Sequence, residues 1–557
     1  MAGEVLLGIS DDSHLPEASL AVEAGLAAAF VGTLDNGADL AKELQQREEP
    51  PVSMTPAGVL VAAFRAFGEA APSRLRGAFA AVVTDGRKMW CFRDQIGFQT
   101  LFYREDSDGV YVATEVKQVV AGSGVGWEPD LEVLEPLFYA DDYDESLCAV
   151  RGVRRVVRAT LLTADAGQIA SRRYWEPEHV LETARISADE LIGRFEELMT
   201  QAVARVLTGA DAIALSGGVD SPAVAAFAAP EHLRLSGRPL SAISAVYPQY
   251  PSADERRYIE EVAQALDLPL DTYVPSPQRL DRLQEWVRLF DGPWPIWSPE
   301  GAVNRYSEAT ARGFRTLLTG EVAEELVGGR RYIVSHLIWQ GRFRALLRDL
   351  ALQRAEGTKV VALLREVASS FMPRWLMAAR FRSNMRISIP EWMDDARMRA
   401  RLGREAVPAR ERWRSQQLGV FTGVGTSAEA NSICQAYCGI RVRSPWADVD
   451  LWEFFLSLPA ELKFPAPRSK ALVRSLLRGK VPDVILDRRD KTVMNDWFLA
   501  ECTDYPSLRR WLTRPQHRIP GVDYELLAQH LEDEDMDLSS YLWAKDLAVV
   551  HAFLDLW

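Results

Sequence analysis

Cysteine is scarce in this chain, with five in 557 residues, at positions 91, 148, 434, 438 and 502. So few thiols exclude a disulfide scaffold. Cys434 and Cys438 stand four apart with no third or fourth ligand near, which argues against a zinc site. Histidine is sparse as well, and His232, His336, His517 and His530 show no i, i+4 metal spacing, so they read as structural or surface residues. No run approaches the ~18 apolar residues of a membrane span. The uncharged stretch 50–64 is short and interrupted by prolines. The opening MAGEVLLGISDD lacks the basic and apolar regions of a secretory signal. Basic residues are outnumbered, 64 Lys+Arg against 78 Asp+Glu, and a net charge of -14 speaks against phosphate binding over the whole surface. These absences leave an expected soluble, cytoplasmic enzyme with no nucleic-acid or membrane partner. At about 150 residues per domain, the length suits two to four domains.

The first ~180 residues are strand-like and punctuated by glycine. Residues 77–84 form an apolar run closed by Asp85-Gly86, and 88–93 reads as its hairpin partner. Residues 101–103 and 110–114 read as further strands, which together predict an antiparallel sheet domain with some helices. The period then changes. Ser187 and Glu190 are spaced as a capping box before a helical pattern through Leu191, Phe195, Leu198, Met199, Ala202 and Val206. Strands at about 212–215, 241–247, 270–274 and 315–318 alternate with helical segments at 255–266 and 278–289. That alternation predicts a doubly wound α/β parallel sheet.

Residues 341–417 depart from the rest. They hold 17 Lys+Arg and 8 Asp+Glu, a local net of +9, so the remaining residues carry -23. Leu346, Leu347, Leu350, Val361, Leu363 and Leu364 suggest helices within this insert. An Arg-rich solvated helical region and an electropositive docking arm for an acidic partner or substrate are both open.

The segment most informative about chemistry is Ser216-Gly217-Gly218-Val219-Asp220-Ser221, which leaves an apolar strand and enters a helix whose first position is expected at Pro222. Its glycines let backbone approach an anion, and N–H groups at a helix start cradle phosphate oxygens. Ser216 and Ser221 add hydroxyls. Asp220 belongs beside phosphate only if a cation lies between them, and Mg²⁺, which takes oxygen ligands, is the natural candidate. The Gly-Lys-Ser/Thr of a Walker loop is missing. Leu215, Val246 and Gly320 fall at the ends of predicted strands, where an adenine ring would lie at the carboxyl edge of such a sheet.

This loop resembles the pyrophosphate loop of the N-type ATP pyrophosphatases, which include asparagine synthetases, GMP and NAD synthetases and tRNA-thiolating enzymes. Residues 75–86 (LRGAFAAVVTDG), 92–103 (FRDQIGFQTLFY) and 110–120 (VYVATEVKQVV) look like the amidotransferase-type domain of asparagine synthetase B relatives. Residues 319–329 (TGEVAEELVGG), 443–448 (RSPWAD) and 458–464 (LPAELKF) resemble the second loop and C-terminal helical region of those relatives. The resemblance therefore implies an α+β, amidotransferase-like (Ntn-type) sheet domain over 1–180. An α/β doubly wound ATP-pyrophosphatase domain with a helical C-terminal region would follow over 187–557. It also implies ATP and Mg²⁺, with Asp220 and Glu324 as metal ligands, Lys470 near the ATP phosphates and Lys491 at the reacting carbonyl. Glu324 stands where relatives usually have Asp.

In glutamine-dependent relatives a cysteine directly after Met1 releases ammonia from glutamine. Here positions 2 and 3 are Ala and Gly, which cannot attack an amide carbon, so this domain is expected to lack glutaminase activity. The same loss marks β-lactam synthetases and lasso peptide cyclases, which close an amide within one substrate. β-Lactam synthetases place a Tyr in the second loop, where this chain has Glu321, and pair it with a Glu whose counterpart here is Glu429, the expected proton acceptor. The large basic insert favours the lasso-cyclase resemblance. That implies an AMP-forming ligase that joins an Asp or Glu side chain of a precursor peptide to its N-terminal amine. A leader-binding protein and a leader peptidase would be its partners. Small-molecule ring closure of the β-lactam synthetase kind and ammonia-dependent asparagine synthesis stay open.

Overall fold

The computed structural model describes Gly8 and residues 18–138, 144–165, 167–293, 299–377, Ala379, 389–394, Ala396, 407–490 and 492–556. Among the described residues, nine strands build two antiparallel sheets in the N-terminal region. The larger has the order β1 (Ala18–Glu23), β2 (Leu26–Leu34), β3 (Gly77–Thr84), β4 (Lys88–Arg93), β8 (Thr160–Asp165), β9 (Gln168–Arg173). The smaller joins β5 (Phe102–Asp106) to β6 (Gly109–Ala113) and β7 (Arg154–Arg155). The β3–β4 hairpin expected from the Asp85-Gly86 turn is present, with Val82 opposite Cys91. Alternation along these strands divides two cores. Phe79, Ala81, Val83 and Phe92 face the buried helix Pro56–Phe67, whereas Ala80, Cys91 and Leu162 face Leu101 and Val156. That helix starts cleanly because the Thr55 hydroxyl accepts from the Gly58 N–H and Pro56 occupies the first turn.

The C-terminal region holds a five-stranded, all-parallel sheet in the order β12 (Leu270–Tyr273), β11 (Ser241–Ala245), β10 (Asp211–Ala214), β13 (Thr316–Leu318), β14 (Arg441–Arg443). Ile213, Ala242 and Leu318 pack on one face against the helices Ala188–Val206, Asp220–Ser236 and Val449–Ser457. Ala212, Ile243 and Leu317 pack on the other against Pro299–Ala311 and Arg412–Cys438. Helices on both faces make it doubly wound. The Ser187–Glu190 capping box forms reciprocally, as its spacing predicts. Two readings are corrected. Pro222 is the third residue of its helix, not the first, since the helix begins at Asp220 with Val219 as N-cap. Proline is tolerated there because the first-turn N–H groups have no intrahelical acceptor. The edge strand β14, whose three residues carry no apolar alternation, was not anticipated.

The insert is helical at Phe343–Ala355 and Val360–Ser369, and much of 378–406 lies outside the described residues. A cluster around Trp286 and Tyr541 spans both regions, taking in Phe102, Val116 and Leu134 from the N-terminal one. Among the described residues no helix is long and apolar enough to cross a membrane.

The two regions also meet through charge. Asp450 accepts from Arg76 at 2.8 Å, and Arg205 bridges Asp448 at 2.6 Å and Asp450 at 2.8 Å. Arg443 of β14 reaches Thr33 and Asp35, and the Trp175 indole donates to Glu453 at 2.7 Å.

Candidate active site

Strand order reverses at β10: the chain crosses from β10 to β11 on one side, and β13 arrives on the other. Open α/β sheets bind ligands at the carboxyl ends of such a pair, and here those ends carry both singled-out loops. Leu215 is buried and donates its N–H to Ile243 O at 3.0 Å, and its carbonyl accepts from Ser244 Oγ at 2.6 Å. The Ser221 hydroxyl accepts from the Ser216 N–H at 2.9 Å and lies 3.0 Å from Ser216 Oγ, so the loop folds around its own serines. Val246, also buried, donates to Tyr273 O at 2.9 Å at the end of β11.

The two loop glycines have different reasons for being glycine. A Cβ on Gly217 would meet Tyr258, Arg488 and Glu255 at 2.9–3.0 Å, whereas one on Gly218 would meet only Ser216 Oγ at 3.5 Å. Gly320 is the tightest, because its Cβ would fall 2.5 Å from the Ser221 nitrogen and 2.7 Å from the Asp220 carbonyl carbon. The second loop therefore lies directly on the first. The turn after β14 secures both: Trp446 donates to Asp220 O at 3.1 Å, and Ser444 Oγ donates to Glu321 O at 2.6 Å.

At this junction Lys470 sits between two carboxylates, 2.5 Å from Asp220 Oδ2 and 2.9 Å from Glu324 Oε2. Burial raises the Asp220 pKa, with Lys470 opposing the rise. Burial works against the charge of Lys470, but Asp220 and Glu324 outweigh it and its pKa is raised. Neighbouring Glu325 is also raised, chiefly by burial. The backbone is strained on both sides of this cluster: Lys470 has φ 56° and Val322 has φ 73°, left-handed values that a β-branched residue rarely adopts.

Asp220 Oδ1 is buried and has no hydrogen-bond partner. An orphaned carboxylate oxygen beside a second carboxylate and a phosphate-type loop suits Mg²⁺, which takes one or two protein carboxylates and completes its shell with water and substrate phosphates. The donor set thus fits the metal, although among the described residues no group of three or more His, Cys, Asp or Glu side chains could hold an ion by itself.

One expected catalytic residue, Glu429, stands apart from this cluster. Lys491 lies outside the described residues. Glu429, on the helix Arg412–Cys438, is buried, with Oε1 2.6 Å from Arg93 and Oε2 3.2 Å from Arg155, both arginines belonging to the N-terminal sheets. Each of its oxygens faces a guanidinium group, which ties the two regions together.

Sequence reasoning missed a clamp behind the phosphate-type loop. Glu255 Oε2 accepts the Gly217 N–H at 3.0 Å, and Arg488 donates to Gly217 O at 2.8 Å. Arg488 also pairs with Glu255 at 2.8 Å, donates to Thr492 at 2.6 Å and lies over the Tyr258 ring. The only signal in the sequence was the proximity of Arg488 and Thr492 to Lys491. Glu321 was noticed only as a departure from tyrosine. It follows Gly320, is a third exposed, and meets Arg305 at 3.1 Å and Asn431 at 3.3 Å.

This site, two stacked loops at the carboxyl ends of a doubly wound parallel sheet, agrees with what comparison finds. Residues 194–557 match the Asparagine synthase family model, and residues 3–175 match that of the Glutamine amidotransferase domain. The chain belongs to the asparagine synthase family, whose chemistry is ATP-dependent, AMP-forming carbon–nitrogen ligation, generally with Mg²⁺. Among its relatives, asparagine synthetase [glutamine-hydrolyzing] 3 of Bacillus subtilis is 23% identical over 475 residues, covering 83% of this chain and 74% of that one. Asparagine synthetase [glutamine-hydrolyzing] 1 of the same organism is 22% identical over 498 residues, covering 84% and 77%. A solved Bacillus subtilis glutamine phosphoribosylpyrophosphate amidotransferase is 15% identical over 46% of this chain and 48% of its own, at a TM-score of 0.21, and carries no weight.

Proposed function

We propose that this chain activates a carboxylate as an acyl-adenylate and closes a macrolactam, joining an Asp or Glu side chain of a precursor peptide to its N-terminal amine. The observation that carries the adenylation step is the Asp220–Lys470–Glu324 cluster under two stacked loops, with Asp220 Oδ1 lacking a partner. On this reading residues 187–557 form the ligase unit, and residues 1–180 an amidotransferase-like unit without a working nucleophile.

Ser216, Gly217, Gly218 and Ser221 shape the pyrophosphate cradle, while Leu215, Val246 and Gly320 border the adenine side. Asp220 and Glu324 would hold Mg²⁺, which neutralises phosphate charge when bound. A substrate carboxylate oxygen attacks the α-phosphorus, the bond to the β-phosphate bridging oxygen breaks, and pyrophosphate leaves. Lys470 and Lys491 offset charge on the phosphates and on the carbonyl oxygen. The substrate amine then attacks the activated carbon, AMP departs, and a carboxylate removes the amine's extra proton. Glu321 takes that role in preference to Glu429, because it borders the Asp220 loop and its side chain is a third exposed, whereas Glu429 is buried against Arg93 and Arg155.

An amine other than glutamine-derived ammonia is supported by the thiols. Burial pushes Cys91 and Cys434 up to about 12 and Cys502 up to about 11, and it raises Cys148 and Cys438 too. Burial thus moves each of them away from the thiolate that glutaminase attack requires. Capture by a peptide amine rests on the likeness to lasso cyclases and on the basic insert, and a leader-binding protein and leader peptidase would supply the substrate. The names of the relatives favour a second reading, asparagine formation from aspartate, for which Ala2 and Gly3 in place of a cysteine would make free ammonia the nitrogen donor.

Mass spectrometry with Mg²⁺ and ATP separates these readings. The probes are a peptide bearing a free N-terminus and an internal Asp or Glu, aspartate with ammonium, and an N-carboxyalkyl amino acid. Loss of one water from the peptide with AMP released is expected. Asparagine without peptide cyclisation establishes the second reading, β-lactam formation a small-molecule ring closer, and ADP release refutes adenylation.

A further inference from the structure

The insert turns apolar side chains outward. Large apolar residues exposed between 339 and 376 include Phe343, Leu347 (67% exposed), Val361, Leu364 (63%), Phe371 and Trp375 (69%). They follow helical spacing: Phe343 and Leu347 are i, i+4 on one helix, and Val360, Val361, Leu364 and Ala368 form a stripe on the next, which has no buried residue at all. The other faces are occupied. Leu346 packs with Ile333, Val334, Leu337 and Trp413, so these helices are anchored and their outer stripes are not simply misplaced core.

Charge on this face has one dominant sign. Arg344, Arg348, Arg354, Lys359 and Arg365 are exposed, against a single exposed acid, Glu356. The other two acids turn inward, Asp349 to Arg330 at 2.5 Å and Gln353 at 2.9 Å, and Glu366 to Gln353 at 3.2 Å. The face is therefore apolar and basic on a chain of net charge -14. Four of its five exposed cations are arginine, whose planar fork matches carboxylate geometry. An anionic membrane fits less well, because the remainder of the molecule, at -23, would be drawn toward a surface of its own sign. A slender polypeptide meets only charges within about a Debye length, roughly 8 Å at physiological salt.

We propose that the helices Phe343–Ala355 and Val360–Ser369 form a docking face for an acidic amphipathic helix of a partner polypeptide. The partner's apolar ridge lies on the Leu347 and Leu364 stripes, and its carboxylates meet the flanking arginines. This is helix-on-groove recognition, in which apolar anchors at i, i+3 and i+4 supply affinity and rim charges set orientation and capture rate. It lies apart from the Asp220 site, to which none of these side chains belongs.

The test uses the full chain and a fluorescein-labelled synthetic peptide of three heptads, with Leu at the a and d positions and Glu elsewhere. The same peptide with Lys replacing Glu, and phosphatidylserine/phosphatidylcholine vesicles, are the comparisons. The Glu peptide is expected to bind and to weaken as ionic strength rises toward about 1 M, where the Debye length is about 3 Å. Arg344→Glu/Arg348→Glu/Arg365→Glu and, separately, Leu347→Ser/Leu364→Ser/Trp375→Ser should each weaken it about tenfold or more. Nucleotide binding by both variants should be unchanged, which shows that they are folded. Failure of the Glu peptide to bind, equal binding of the Lys peptide, unaltered affinity in both variants, or binding to vesicles alone would each overturn the proposal.

Discussion

At the scale of single residues, Asp220 and Lys463 can be tested by opposite readouts. Asp220 presents a partnerless oxygen to the loop, and its substitution removes both a candidate metal ligand and one counter-ion of Lys470. Asp220→Asn is expected to lower ATP-dependent pyrophosphate release about 100-fold or more while leaving the circular dichroism spectrum unchanged. Wild-type turnover in that variant would remove Asp220 from the site. Lys463 is a stability case. It is buried, its ammonium donates to Gln417 Oε1 at 2.8 Å, and burial lowers its pKa to about 7, with Glu182 opposing. The unfolded chain keeps the ordinary lysine value near 10.4 and so binds more protons than the folded one between about pH 7 and 10. Stability should therefore rise with pH across that window, by a few kcal/mol from this group. Lys463→Met should flatten the rise in denaturant midpoints between pH 7 and 10, and an unaltered slope would assign it to other groups.

Loops and strands show how much the sequence disclosed and where it stopped. The strand–Gly-rich loop–helix unit around Asp220 and the β3–β4 hairpin were legible because each is local: an apolar run, a turn signal, then a change of period. Strand β14 was not, since Arg441-Val442-Arg443 has one apolar residue and pairs only because β13 is already in place. The Glu255–Arg488–Thr492 clamp was illegible for a related reason: ionic partners far apart in sequence leave no periodic trace. The second loop has a feature no pattern reveals, the left-handed Val322 between Glu321 and Ala323. Holding a β-branched residue there costs about 1–2 kcal/mol. Val322→Gly should raise the thermal midpoint by about a degree and lower kcat, because Glu321 loses its fixed direction. A variant that is no more stable, or that keeps full kcat, would show that the loop stores no useful strain.

At the scale of the whole molecule, the question is how the antiparallel sheets and the ligase sheet act together. The sequence marked Glu429 only by its position relative to Pro445, and its partners Arg93 and Arg155 come from strands β4 and β7 in the other region. Arg93 is itself held by Gly97 O at 2.6 Å and Val156 O at 3.2 Å, so the triad is rigid on the N-terminal side. A carboxylate in that setting orients the helix Arg412–Cys438, whose Asn431 in turn touches Glu321. Removing one member of a buried ionic group leaves the others uncompensated, at about 3–5 kcal/mol. Glu429→Gln should thus lower stability by that order and loosen the seam between the regions, with kcat at low temperature reduced only a few-fold and its pH profile unmoved. Glu321→Gln should do the reverse, leaving the melting temperature near wild type and cutting kcat about 100-fold by removing the proton acceptor. The two variants measured side by side, by calorimetry and by AMP release across pH, assign the acceptor. If Glu429→Gln abolishes the alkaline plateau of kcat and leaves the melting temperature untouched, the base is Glu429 and the arginines must release it when substrate binds.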